Sequence, residues 1–108
     1  MKPKHIIEGT LTHGIWSSFQ HYAQLLESRN VKPRDRTATD EDPLHPEHLL
    51  WMCLDMKRRM ERELSYPVDK ASRWLGFVQA GLIANKLTTI ADERDRTRTW
   101  IKGENHGK

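Results

Sequence analysis

The stretch "HPEHLLWMCLDMKRRMERELS", residues 45–65, decides the fold class. Leu49, Cys53, Met56, Met60 and Leu64 recur at intervals of three and four, the spacing that lines one face of an α-helix. Pro46 stands where a helix accepts proline, in its first turn, and Glu47 beside it meets the positive end of the helix dipole. "SYP" at 65–67 ends the segment, because proline disfavours helical geometry in the residue before it. Trp51 lies off the centre of the apolar stripe, so it is a candidate partner-contact residue as well as a core anchor.

Working outward, "DKASRWLGFVQAGLIANKL" (69–87) reads as another helix, with Asp69 as its cap and Ala71, Leu75, Val78 and Leu82 on the buried face. Gly76, Ala80 and Ala84 recur every four residues and form a strip without bulky side chains. A glycine within a helix costs roughly 0.5–1 kcal/mol relative to alanine, so the strip predicts a close approach, either helix packing or a homodimer interface. Gly81 lies near the apolar face, where a neighbouring helix is expected to press in. Upstream, "GIWSSFQHYAQLLESR" (14–29) places Ile15, Phe19, Tyr22 and Leu26 at helical spacing, flanked by Trp16, Ala23 and Leu25. Residues 30–45 are polar and rich in charge, which predicts a long exposed connection. After Leu87, "TTIADERDRTRTWI" offers Thr88 or Thr89 as cap, with Asp92 or Glu93 in the first turn of a short fourth helix. The isolated pair Ile6 and Ile7 before "EGTLTHG" reads as a loop or short strand.

The expected fold is therefore mainly α: a small bundle of three to four helices with a long polar loop after the first. At 108 residues the chain is expected to form one domain, with residues 1–13 and 102–108 flexible. Its formal net charge is +3, but acidic residues are interspersed with basic ones throughout. No segment has the unbroken cationic field of a strong nucleic-acid binder. One cysteine, Cys53, permits no internal disulfide and suits a reducing compartment. No window has the apolar length of a membrane span, so a cytoplasmic protein is expected.

Three constellations are candidates for chemistry. Lys70, Arg73, Arg94, Arg96 and Arg98, with Trp74, would bind an anionic ligand or partner if the segment after Leu87 folds back on the helix before it. The plainer reading of "ERDRTR" is a solvated face whose arginines pair locally with Glu93 and Asp95. "HPEH" puts His45 and His48 three apart with Cys53 downstream, but a closed zinc site needs about four ligands and no second pair has matching spacing. Glu61 and Glu63 point to different faces, and Asp92 and Asp95 stand alone, so an acidic magnesium site lacks half its ligands. Cys53 on the apolar stripe reads as an inert core thiol. No catalytic residue, metal or cofactor is expected.

"PVDKASRWLGFVQAGL" followed by "ERDRTR" resembles small, uncharacterised proteins encoded by tailed phages and prophages, in which "RWLGFVQ" precedes an arginine-rich "ERDxTR". The likeness covers at most residues 46–98. It implies a phage accessory protein acting in the host cytoplasm, and it carries no activity. Two functions follow as expectations. The first is a non-enzymatic binding module for a host protein or a small, nucleotide-like anionic ligand. The alternative is a nucleic-acid-associated regulator using Lys57, Arg58, Arg59 and Arg62. A small metal-dependent nucleotide hydrolase ranks third.

Overall fold

A computed structural model describes residues 2–36, 42 and 44–96. Among them the architecture is all-helical: α1 (Leu11–Ser28), α2 (Pro46–Arg62), α3 (Val68–Ala84) and a short α4 over residues 90–96. α2 packs against both α1 and α3. None of the described helices is long and apolar enough to cross a membrane.

α1 begins three residues before the position that spacing predicts. Thr10 is its N-cap, and its hydroxyl accepts a hydrogen bond from the His13 amide at 3.2 Å, satisfying a donor that has no partner within the helix. Gly14, the first residue of the stretch that spacing marks as helical, lies inside the helix and is buried. At the other end Asn30 adopts a left-handed conformation (φ 64°), and the Val31 amide reaches back to the Leu26 carbonyl at 3.2 Å. α3 closes in the same way at Lys86 (φ 60°), with the Leu87 amide on the Leu82 carbonyl at 2.9 Å. In both, the residue after the left-handed one is apolar and packs on the core, as this type of helix end requires.

α2 starts at Pro46 as expected, with His45 as its cap accepting from the Glu47 amide at 3.1 Å. Leu49, Cys53, Met56 and Met60 are buried. Leu64 is not: the helix ends at Arg62, and Leu64, carried past that end, is 79% exposed. Asp69 does not cap α3. Pro67 takes that place and provides no side-chain cap, leaving Asp69 inside the first turn, because proline's fixed φ lets the helix begin directly after it.

The core unites α1, α2 and α3 through residues that include Ile15, Phe19, Leu26, Leu49, Met56, Val78 and Leu82. Ile6 is fully buried among them, so the segment before α1 joins the core. The His5 ring fixes that segment by a 2.9 Å hydrogen bond to the Met60 carbonyl. Part of the connection after α1 is also docked: the Arg34 amide bonds the Glu47 carbonyl at 3.1 Å, and the Arg36 guanidinium pairs with the Glu47 carboxylate at 2.9 Å.

The two α3 glycines separate cleanly. A Cβ on Gly81 would lie 2.7 Å from a Leu49 methyl, whereas nothing lies within 4 Å of one on Gly76. Close helix packing within the chain therefore falls at Gly81, and Gly76, Ala80 and Ala84 face outward. The side is set by the Ala71, Leu75, Val78 and Leu82 stripe, which turns Gly81 inward and the four-residue strip away from α2.

Candidate functional site

An aromatic groove of about 440 Å³ lies on the surface between α2 and α3. Trp51 of α2 and Trp74 of α3 meet there, half-buried, with ring centres 6.2 Å apart and planes tilted by 36°. Met52, Phe77 and Asp35 also line it, and Phe77 is 38% exposed. His48 stacks on Trp51 at 5.6 Å and 18°, while the Arg59 guanidinium sits 6.0 Å from the centre of the Trp74 ring, a cation–π distance.

Local structure places each of these groups. His48 is buried, and its Nδ1 accepts the Arg36 amide at 3.1 Å, so the docked connection fixes the ring that backs Trp51. Arg59 is drawn to Asp55, one turn earlier on α2, at 2.9 Å. That carboxylate raises the guanidinium's pKa by hydrogen bond and by charge. Asp55 also lies 3.6 Å from Arg58, so one acid serves two guanidiniums. On α3, Lys70, Arg73, Trp74 and Phe77 occupy one helical stripe, each cation one turn before an aromatic ring. Lys70 and Arg73 are exposed, and Arg73 is 3.5 Å from Asp69.

The expected convergence of the arginines after Leu87 with Trp74 does not occur in the described residues. Arg96 turns to α1: it donates to Ser18 at 3.0 Å and to the Tyr22 hydroxyl, and pairs with Glu93 at 3.1 Å. Tyr22 donates in turn to Glu93 and accepts from Gln79 of α3 at 2.9 Å. Thr88 completes the cluster with a 2.8 Å bond to Glu93, and the Thr89 hydroxyl accepts the Asp92 amide at 3.1 Å, so both threonines contribute to the start of α4. The cause is geometric: α4 follows α3 and folds over α1, whereas Trp74 faces α2. Arg94 is exposed on α4, and Arg98 lies outside the described residues.

Burial pushes the Tyr22 phenol far above its ordinary range, helped by Glu93. Burial alone would raise the Glu93 carboxyl as well. Hydrogen bonds from Tyr22, Thr88 and Arg96, with the Arg96 charge, outweigh it and hold Glu93 below its ordinary value. The remaining candidates have structural partners. Burial pushes the Cys53 thiol up, away from the reactive thiolate. The Glu61 carboxylate, which burial alone would raise, is held low by Lys57 at 2.8 Å and the Trp16 indole N–H at 2.9 Å. Among the described residues no group of three or more His, Cys, Asp or Glu is placed to hold a metal ion.

No known family model, curated protein or solved structure matches the chain.

Sequence reasoning singled out Trp51, Trp74, Lys70 and Arg73, and the fold puts them on one surface. It missed Phe77, whose signal was present: 70, 73, 74 and 77 have the i, i+3, i+4, i+7 spacing of a second stripe beside the apolar one. It also missed His48 as the ring behind Trp51, although the two stand three apart on α2, the spacing of neighbours on a helix.

Proposed function

We propose that the chain is a non-enzymatic binding module that engages a host protein through the aromatic groove between α2 and α3. Its phage or prophage origin is part of the proposal and draws on the "RWLGFVQ" and "ERDRTR" resemblance. The observation that carries the reading is the adjacency of Trp51, Trp74 and Phe77 at the surface, since large aromatic side chains dominate the binding energy of protein interfaces. A pocket for a small ligand generally encloses most of it. This groove is a furrow along two helices and suits a protein segment better. The most nucleophilic side chain, Cys53, is sealed in the core, which supports a binding role over covalent catalysis.

The nucleic-acid alternative draws on Lys57, Arg58, Arg59 and Arg62. Lys57 is paired with Glu61, on the flank where it lies over Trp16, and Arg58 and Arg59 share Asp55. Those pairs weaken the field that phosphates would meet. The test is capture from host lysate with the immobilised full chain and with Phe77→Ala and Arg94→Ala variants. A partner held by the wild type and by Arg94→Ala, but lost by Phe77→Ala, is the expected result. Loss on Arg94→Ala with retention on Phe77→Ala would move the surface to α4.

A further inference from the structure

We infer that the occupant of the α2–α3 groove is an acidic protein segment that inserts one bulky apolar side chain between Trp51, Trp74 and Phe77. The inference rests on that groove being the binding surface and adds the chemistry of its partner. Charge is the first argument. Where α2 ends and α3 begins, Arg58, Arg59 and Arg62 on one helix and Lys70 and Arg73 on the other are all exposed. The acids among them are fewer. Asp35 lines the groove itself, Asp55 is divided between Arg58 and Arg59, Asp69 faces Arg73 across 3.5 Å with both side chains more than three-quarters exposed, and Glu63 follows α2. Five cations against these four acids leave the rim an excess of one positive charge, which favours acidic residues over basic ones.

The rings supply the second argument. Stacking of a nucleobase needs an open aromatic face, but His48 covers a face of Trp51 and Arg59 lies over Trp74. The two indoles, 6.2 Å apart, already stand at the separation of direct aromatic neighbours, about 4.5–7 Å, and admit no third ring between them. The rest of the lining is Phe77, Met52 and Asp35. Phe77 and Met52 reward an aliphatic or aromatic side chain inserted from above. By contrast, the hollow of about 320 Å³ beside Ile7, Leu64 and Tyr66 has Glu63 on its wall and no lysine or arginine.

The experiment is selection of a random peptide library against the full chain, followed by fluorescence titration of the enriched peptides. Titrations are repeated on a Lys70→Glu/Arg73→Glu double variant, on Trp74→Ala and on Phe77→Ala, each checked for helix content by circular dichroism. Both charge-reversed positions are exposed, so the fold withstands that change. We expect enriched peptides with net negative charge and a single Leu, Met, Phe or Trp anchor, binding at least tenfold more weakly to the double variant and to Phe77→Ala. Neutral or basic winners, affinity unchanged by the charge reversal, or no enrichment at all would overturn the inference. If such winners still require Phe77 or Trp74, the groove stands and only its acidic partner falls. If they are indifferent to both rings, the groove reading falls too. Tighter binding of a twenty-nucleotide oligothymidine than of any enriched peptide also overturns it.

Discussion

Two aromatic clusters of this small bundle are built alike and end differently. Around Tyr22, a ring meets a carboxylate, a guanidinium and an amide, and Glu93, Arg96 and Gln79 close over the hydroxyl. Around Trp51 and Trp74, rings meet an imidazole and a guanidinium, and the groove that they line opens to the surface. The first cluster uses its polar capacity to hold α4 on α1. The second keeps apolar area in reserve, so its rings are available to a partner. The glycines of α3 divide too: Gly81 faces the closed interior, and Gly76 faces outward, away from α2.

The largest expected effect is on the closed side. Gly81→Leu drives a side chain into the space held by Leu49, which is fully buried, and overpacking of this kind costs up to about 3 kcal/mol. Urea unfolding should record that loss, and a variant as stable as the wild type would show that the α2–α3 contact is loose. Tyr22→Phe is expected to cost about 2 kcal/mol, because it strips a buried hydrogen-bonded network of a hydroxyl bonded to charged partners. The same variant should bind groove ligands unchanged.

Acid titration sharpens the contrast. Glu93 and Glu61 both lie below the ordinary carboxylate value in the folded state. Their contribution is therefore present above the unfolded value of about 4.3 and is lost as pH falls through the lower folded values. Glu93→Gln should flatten part of the acid limb of a stability profile against pH, and an unaltered limb would mean that Glu93 takes no part in holding α4. The smallest effect belongs to the outward strip of α3. Gly76→Ala should stabilise the helix by about 0.5–1 kcal/mol, since nothing lies within 4 Å to oppose it. Gly76→Leu should likewise leave the fold intact. Light scattering on that variant then reads assembly alone, and a change in mass relative to the wild type would reveal a homodimer built on the Gly76, Ala80 and Ala84 strip.

The helices were legible because their signals are local. Pro46 starts α2, the Leu49, Cys53, Met56 and Met60 stripe is buried, and Thr89 receives the Asp92 amide near the start of α4. Ile6 was illegible because a lone apolar pair has no period, and its burial depends on what packs against it. The Tyr22 cluster joins residues 71 and 74 positions apart, a separation at which no spacing rule operates. The strip at Gly76 misled for a related reason: recurrence every four residues names a side of the helix, but the apolar stripe decides which side is covered. Half of the candidate site, Trp51, Trp74, Lys70 and Arg73, was visible as residue types. That Arg96 turns to Tyr22 and away from Trp74 follows from the path of the chain after α3.

Four tryptophans allow a direct test of the claim that the open cluster is the binding surface. In a nitrogen-15 spectrum of the full chain, titrated with an enriched acidic peptide, the indole N–H signals of Trp51 and Trp74 should move together. The Trp16 signal, held by Glu61 at 2.9 Å, should stay in place. Movement of Trp16 with Trp51 and Trp74 unchanged would contradict the account.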